Sequence, residues 1–297
     1  MPDRFAAHYT PMKHRAALFS TSANWVVVLV VLAVLWFGFR IIFSAIITIW
    51  MQSPRIIEHP ELVDDFFNAS TPRGAGWSLA TFLIYVGIIL ALSRAFHSIN
   101  LRHLVGALSP AWYQFWRVSL YLFPIYAVMT VPFLFAPEPV QQYAFSAWLL
   151  MLPIFLPLLF VQIGAEELIF RGYLQGHLAA LSTHPLIWMC LPSLLFGLAH
   201  FDPYAPAYSA WSYVVWATLF GLICADLTAR SGTLGPALAV HFVNNIAAVL
   251  FIASDDWLFG AALYVWPLYG GYWEPWIPYE LLALITVWLA SRLALRR

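Results

Sequence analysis

The stretch WVVVLVVLAVLWFGFRIIFSAIITIW occupies residues 25–50 and contains one charged side chain, Arg40. A helix needs about 20 apolar residues to cross the hydrocarbon core of a bilayer, and this stretch would be about 39 Å long as a helix. It is longer than the apolar core of a cleavable signal peptide, and Arg4, Lys13 and Arg15 precede it. We therefore predict a retained signal anchor that spans a membrane.

The composition of the whole chain is also that of a membrane protein. Of the 297 residues, 62% are hydrophobic and 9% are charged, whereas soluble domains have about 25% charged residues. Fourteen basic residues balance fourteen acidic ones, so no positive field attracts nucleic acid, and we predict no nucleic-acid partner. Cys190 and Cys224 lie in apolar stretches, which indicates buried thiols rather than a disulfide or a metal site.

Seven further apolar segments follow the first. They cover residues 77–92, 115–135, 143–163, 186–198, 211–227, 234–252 and 276–289. Backbone polar groups must be satisfied within the bilayer, so only helices or closed barrels cross it, and these continuous runs lack the alternation of barrel strands. We predict an all-α, polytopic integral membrane protein of about eight transmembrane helices. Prolines within these segments indicate kinks or helix ends.

The distribution of basic residues predicts the orientation, because cytoplasmic loops carry an excess of Lys and Arg. If the N-terminus is cytoplasmic and the spans alternate, Arg55 and Arg73 fall on the outer side, Arg40 lies in the first span, and all other Lys and Arg fall on the cytoplasmic side. Both termini are therefore predicted to be cytoplasmic.

Charged residues within the predicted spans need an explanation, because each costs about 3 kcal/mol at the bilayer centre. The stretch GAEELIFRGYLQG contains Glu166, Glu167 and Arg171. Glu167 and Arg171 are four residues apart, in the favourable order for an ion pair on one helix face. Glu166 is rotated by about 100° from Glu167 and lacks such a partner, so we predict that it faces a different surface and is the candidate general base.

Two other segments contribute polar side chains. His241 and Asn245 in HFVNN share one helix face, whereas Asn244 is predicted to face elsewhere. Phe196 and His200 in FGLAHF have the same spacing. A Glu, two His and an Asn from three helices would form a buried, water-containing site that suits hydrolysis without a covalent intermediate.

Other interpretations of these residues stay open. A lone intramembrane His or Asn often only bonds a neighbouring helix, Phe196 alone would be a core residue, and Asp226 with Arg230 is predicted to be an ion pair. Two His and a Glu can also hold catalytic zinc, although the sequence has no HExxH motif. A serine or an aspartyl mechanism would need a nucleophile motif or paired Asp residues that the spans lack. We predict no metal and no cofactor.

Three motifs together resemble the CAAX protease and bacteriocin-processing (CPBP) family, also called the ABI family of intramembrane glutamic proteases. They are EExxxR with Glu166, Glu167 and Arg171, FxxxH with Phe196 and His200, and HxxxN with His241 and Asn245. The resemblance covers residues 153–251, about a third of the chain.

The resemblance implies a metal-independent endopeptidase. Glu166, assisted by His200, would activate water, and His241 with Asn245 would stabilise the oxyanion. Glu167, Arg171 and Phe196 would support the site. The substrate would be a membrane-associated peptide or protein, of which a prenylated CAAX protein is one option, and the location would be a prokaryotic inner membrane. The alternatives are a non-catalytic scaffold or bacteriocin-immunity protein and a proton-coupled transporter.

The resemblance and the predicted spans divide the chain into four parts. Residues 1–24 would be a cytoplasmic tail, residues 25–152 helices without a motif, and residues 153–252 a CPBP-like catalytic core. Residues 253–297 would hold an aromatic outer segment, the last span and a basic cytoplasmic tail. That outer segment is typical of an interfacial belt or a re-entrant segment.

The depth of Glu166 depends on the helix that carries it. If this helix ended at Ile163, Glu166 would lie at the cytoplasmic edge, about 20 Å from the depth of His200. We therefore predict a kink at Pro153 or Pro157 and a helix that continues to about Ala180, which would place Glu166 at mid-depth near His241.

Overall fold

A computed structural model describes residues 7–135, 139–255, 257–267 and 277–296. The described residues are mostly helical. A 3₁₀ turn, Ala7–Tyr9, precedes twelve helices in the described part of the chain. These are α1 (Thr10–Ala17), α2 (Trp25–Met51), α3 (Pro54–Glu58), α4 (Glu61–Asn68), α5 (Pro72–His97), α6 (Leu101–Val105), α7 (Leu108–Leu134), α8 (Phe145–Leu181), α9 (Leu186–Ala199), α10 (Ala207–Ser231), α11 (Gly235–Phe251) and α12 (Ile277–Ala294).

Four helices, α2, α5, α8 and α10, are long and apolar enough to cross a bilayer, and α9 and α11 are shorter apolar helices. Each of the eight apolar segments singled out in the sequence coincides with one of α2, α5 and α7 to α12. The prediction of a mainly helical membrane protein is therefore confirmed, whereas the count of eight spans stays a prediction. Of the four long helices, α10 is the most buried.

A small sheet departs from the all-α prediction. Its strands are β1 (Val140–Gln141), β2 (Ile252–Ser254) and β3 (Tyr264–Trp266), and β3 lies between an antiparallel β1 and a parallel β2. The β-branched and aromatic residues of these strands favour extended backbone, but runs of two or three residues are too short to stand out in a sequence. The sheet contains part of the aromatic segment, of which Tyr269, Tyr272, Trp273 and Trp276 lie outside the described residues.

Helix α8 carries the first polar motif and runs without interruption for 37 residues, which corresponds to about 55 Å. Pro153 and Pro157 lie inside it without ending it. The predicted continuation past Ile163 is therefore confirmed, and Glu166 lies well inside the helix. Immediately after Glu167 the helix adopts π geometry over Leu168–Leu174, a local widening that is frequent near functional sites.

Glycines allow the helices around the polar residues to approach closely. A Cβ at Gly197 would collide with Thr218 Oγ1 and would lie 2.6 Å from the carbonyl oxygen of Val214, both on α10. A Cβ at Gly235, at the start of α11, would collide with the carbonyl of Ala111 on α7. These two contacts bring α9 against α10 and α11 against α7.

Residues 7–24, which belong to the segment expected to be a cytoplasmic tail, pack against the helices. Arg15 on α1 is 4% exposed, and its Nη2 donates to the carbonyl of Leu104 at 2.7 Å and to those of Arg171 and Gly172 at 3.3 and 3.4 Å. Burial lowers the pKa of Arg15 to about 10, so the guanidinium is protonated at neutral pH. Arg15 therefore binds carbonyl groups in the π-helical part of α8, next to the polar motif.

Candidate functional site

The candidate site lies where α8, α9 and α11 meet. Helix α8 supplies Gln162, Glu166, Glu167 and Arg171; α9 supplies Phe196, and His200 directly follows it; and α11 supplies His241, Asn244 and Asn245. The predicted convergence of three helices is therefore observed, although the individual contacts differ from the sequence-based expectation.

Glu167 and Arg171 form a fully buried ion pair. Arg171 Nη1 donates to Glu167 Oε1 at 3.0 Å, and the two side chains are 0% and 1% exposed. The guanidinium also lies 4.4 Å from the centre of the Phe196 ring, which is within the range of a cation–π contact. The ion pair expected from the spacing is present, and Phe196 contacts it from α9.

His241 approaches both glutamates from α11. Its Nδ1 lies 2.9 Å from Glu167 Oε1, and its Nε2 lies 3.4 Å from Glu166 Oε2. The expectation that Glu166 faces a different surface from Glu167 is therefore wrong. The two nitrogens of one imidazole point in different directions, so a single ring from another helix reaches both neighbouring carboxylates.

These contacts limit how His241 can hold its protons. The carboxylate of Glu167, paired with Arg171, only accepts hydrogen bonds, so the Nδ1–H of His241 donates to it. Nε2, which lies 3.4 Å from Glu166 Oε2, carries a hydrogen in the doubly protonated ring and a lone pair in the neutral ring.

Glu166 is the more accessible of the two carboxylates, with its side chain 13% exposed, against 0% for Glu167. Its Oε2 accepts no hydrogen bond from the described part of the chain. Glu166 Oε2 is therefore an acceptor without a hydrogen-bond partner among the described residues, although the atom itself is buried, as is Glu167 Oε2.

A connected series of four hydrogen bonds ends at Oε1, the other oxygen of Glu166. Tyr126 Oη on α7 donates to Asn244 Oδ1 at 3.0 Å, and Asn244 Nδ2 donates to Asn245 Oδ1 at 3.0 Å. Asn245 Nδ2 then donates to Gln162 Oε1 at 2.9 Å, and Gln162 Nε2 donates to Glu166 Oε1 at 2.8 Å. We call these five residues the amide row.

The amide row corrects one expectation and adds residues that sequence reasoning missed. Asn244 was expected to face away from Asn245, but its flexible amide reaches the neighbouring side chain. Gln162 and Tyr126 were not singled out. Gln162 lies four residues before Glu166 and in an apolar run, so the same spacing rule that paired Glu167 with Arg171 would have found it. No comparable signal marks Tyr126.

His200 reaches the site through Phe196. Its Nδ1 lies 2.8 Å from the carbonyl oxygen of Phe196, and because a carbonyl only accepts, Nδ1 carries the hydrogen and Nε2 of the neutral ring has a lone pair. The Phe196 ring lies 4.5 Å from the His200 ring and 6.0 Å from the His241 ring, centre to centre. Among the described residues, no hydrogen bond joins His200 to Glu166.

A second ion pair lies outside this cluster. Arg230 Nε donates to Asp226 Oδ1 at 2.7 Å, as the spacing predicts, and Tyr9 Oη and Trp288 Nε1 also donate to the Asp226 carboxylate. Burial and the hydrogen bond to Asp226 raise the pKa of Tyr9 to about 12. This cluster connects the N-terminal segment and α12 to α10 and has a structural role.

Within the described ranges, no group of three or more His, Cys, Asp and Glu side chains is arranged to hold a metal ion. Both cysteines are free thiols.

Comparison with known proteins bears on the same part of the chain. Residues 146–247 match the model of a family described as type II CAAX prenyl endopeptidase Rce1-like, and this range contains every site residue predicted from the sequence. The resemblance carried by the three motifs is thereby confirmed. The uncharacterized protein YyaK of Bacillus subtilis is 26% identical over 213 residues, which is 69% of this chain and 71% of YyaK. No solved structure shows a significant match.

Proposed function

We propose that this chain, whose residues 146–247 match the CAAX prenyl endopeptidase family, is an intramembrane endopeptidase that hydrolyses a peptide bond with water activated by Glu166. One observation carries the proposal. Glu166 has one oxygen held by Gln162, and its second oxygen, which accepts no bond from the described residues, faces His241 Nε2 at 3.4 Å. A carboxylate held in this way can take a proton without losing its position.

In the proposed reaction, Glu166 Oε2 takes a proton from water while the water oxygen attacks the carbonyl carbon of the substrate. The oxyanion of the tetrahedral intermediate accepts hydrogen bonds from the second Nδ2 hydrogen of Asn245 and from His241 Nε2–H in the doubly protonated ring. Donors fixed in this way typically contribute about 3 kcal/mol each. The carbon–nitrogen bond then breaks, and Glu166 returns the proton to the leaving amine.

The remaining residues have supporting roles in this proposal. Glu167 accepts from His241 Nδ1 and so directs Nε2 toward the reacting atoms. Arg171 neutralises Glu167, and Phe196 packs on the Arg171 guanidinium. His200, with a lone pair on Nε2, would orient the attacking water from the far side of Phe196.

The substrate class follows from the family and from the surroundings of the site. A site between apolar helices receives a membrane-associated peptide or protein, and a prenylated CAAX protein is one such substrate. We propose an inner membrane of a prokaryote as the location, with both termini cytoplasmic, on the basis of the Lys and Arg distribution.

The test is cleavage of a library of fluorogenic lipidated and membrane-proximal peptides by detergent-purified protein, with and without a zinc chelator. The variants are Glu166→Ala, His241→Ala and Asn245→Ala, and the control is Glu61→Ala, whose side chain is 67% exposed and lies outside the site. Chelator-resistant cleavage by wild type and Glu61→Ala that is lost in the three site variants supports the proposal.

Two results would contradict it. Cleavage that the chelator abolishes would indicate zinc hydrolysis, and the absence of cleavage by wild type across the library would favour a scaffold, an immunity protein or a transporter.

A further inference from the structure

Gln162 belongs to none of the three motifs. It nevertheless forms hydrogen bonds with both Glu166, the proposed general base, and Asn245, a proposed donor to the oxyanion. It is 8% exposed, donates to Glu166 Oε1 at 2.8 Å and accepts from Asn245 Nδ2 at 2.9 Å. We propose, on the basis of the function proposed above, that Gln162 is a positioning residue that holds the general base and the oxyanion donor in one hydrogen-bonded frame.

The two neighbours need a group between them that donates at one end and accepts at the other, and a carboxamide does both. An ionised carboxylate only accepts hydrogen bonds, and the Nδ2 group of Asn245 only donates. A side chain that bridges them must donate at one end and accept at the other, and it must span both helices. Glutamine meets both conditions, whereas a hydroxyl is too short and a second carboxylate would repel Glu166.

The direction of the hydrogen bonds in the amide row follows from Glu166. Because Glu166 accepts, Gln162 turns its Nε2 toward it and its Oε1 toward Asn245. Asn245 then turns its Nδ2 toward Gln162 and its Oδ1 toward Asn244, and Asn244 turns its Oδ1 toward Tyr126. The four hydrogen bonds thus all run from Tyr126 to Glu166, and the orientation of every amide is determined.

This orientation decides which atoms stay available for the reaction. Gln162 occupies Oε1 of Glu166, so Oε2, the oxygen near His241, is left to take a proton. Gln162 also occupies one hydrogen of Asn245 Nδ2, so the second hydrogen is left for the substrate oxygen. Without Gln162, both side chains could rotate, and the distance between base and oxyanion donor would no longer be fixed.

The first test compares Gln162→Leu with Gln175→Leu. Gln175 is a matched control because it is a fully buried glutamine on the same helix, and among the described residues its Nε2 donates only to the carbonyl of Ala225, at 2.9 Å. We expect Gln162→Leu to lower kcat by about 10- to 100-fold, with KM within about threefold of wild type, because misplaced reacting groups affect the chemical step. Gln175→Leu should change thermal stability more than kcat.

A pH profile of Gln162→Glu distinguishes positioning from packing. A protonated carboxylic acid at position 162 has the hydrogen-bonding pattern of the amide, with an O–H for Glu166 and a carbonyl for Asn245, whereas an ionised one repels Glu166. The activity of Gln162→Glu relative to wild type should rise about fivefold or more between pH 8 and pH 6. The relative activity of Gln162→Leu should stay constant over this range.

The outcomes separate this proposal from the proposed function. If wild type cleaves and Glu166→Gln does not, the function stands, and a Gln162→Leu variant with wild-type kcat overturns the positioning role alone. If wild type does not cleave, the proposed function fails. Infrared spectroscopy then still tests whether Gln162 holds Glu166 by a hydrogen bond. The carboxylate band assigned to Glu166 by difference with Glu166→Gln should shift in Gln162→Leu, and an unshifted band overturns the proposal.

Discussion

Glu167 and His241 are 74 positions apart in the chain, yet the Nδ1–H of His241 donates to Glu167 Oε1 at 2.9 Å. The same oxygen accepts from Arg171 Nη1 at 3.0 Å. One carboxylate oxygen thus neutralises a buried guanidinium and orients a buried imidazole. Stability and chemistry depend on Glu167 in different ways, so variants at this position can separate them.

Replacement of Glu167 by Leu leaves the guanidinium of Arg171 buried without a counter-charge. We expect the free energy of unfolding to fall by about 3–5 kcal/mol, measured by thermal or denaturant unfolding in detergent. The double variant Glu167→Leu/Arg171→Met should recover most of this loss, because apolar side chains of similar volume replace buried ion pairs well. Cleavage should stay low, because His241 Nδ1 has lost its acceptor. A double variant no more stable than the single one would contradict this account.

Glu166→Gln should lower activity without lowering stability. The amide oxygen at position 166 can still accept from Gln162 Nε2, so the thermal midpoint should equal that of wild type or exceed it. Cleavage should fall by about 100-fold or more, because an amide cannot act as a general base. The same preparation serves for the fluorogenic assay and for differential scanning fluorimetry. A clear loss of stability in Glu166→Gln would assign a structural role to this carboxylate.

The effect of breaking the amide row should decrease with distance from Glu166. We expect the largest loss of kcat for Gln162→Leu, a smaller loss for Asn244→Leu and about a threefold loss for Tyr126→Phe, since a terminal hydrogen bond contributes about 1 kcal/mol at most. Tyr121→Phe is the control, because Tyr121 lies on the same helix and is 42% exposed. An equal loss of kcat in all three variants would contradict this order. It would indicate that the amide row contributes through packing as a whole, not through each hydrogen bond according to its distance from Glu166.

Gly197→Ala tests the close approach of α9 and α10. The added methyl group would lie 2.6 Å from the carbonyl oxygen of Val214, so the helices must separate at a cost of about 1–3 kcal/mol. Because Phe196 lies on the same helix and His200 directly follows it, cleavage should also fall. Gly87→Ala on α5 is the matched control, since its Cβ would meet no atom within 4 Å. Equal unfolding temperatures of Gly197→Ala and Gly87→Ala would show that the close contact between α9 and α10 does not limit stability.

Arg15→Leu tests whether the N-terminal segment belongs to the folded core. The change removes the donor for the carbonyls of Leu104, Arg171 and Gly172, and buried acceptors without a partner cost about 1–3 kcal/mol each. We expect a lower unfolding temperature and faster proteolysis of the N-terminal segment. The control is Arg94→Leu, because the exposed Arg94 donates to the carbonyl of Ser98, just after the end of its own helix. An unaltered Arg15→Leu variant would mean that the segment is a tail after all.

Much of the helical architecture could be predicted from the sequence, because apolar runs and i,i+4 spacing are local properties. The run at residues 25–50 predicted a membrane helix, and the spacings of Glu167 with Arg171 and of Asp226 with Arg230 predicted ion pairs that are present. We predicted that α8 continues past Pro153 and Pro157, and both prolines lie inside it; the kink at one of them stays a prediction.

The sequence by itself determined which residues share a helix face, which segments are apolar enough for a bilayer and which polar side chains are costly within it. Only the tertiary structure decided that one imidazole contacts both Glu166 and Glu167, that Asn244 joins Asn245, and that Gln162 bridges α8 to α11 across 83 positions. The physical reason is that helix periodicity fixes neighbours within one helix, whereas contacts between helices depend on how closely the backbones approach and on side-chain rotamers. Those distances are set by close packing at positions such as Gly197 and Gly235, which the spacing of the motif residues does not reveal.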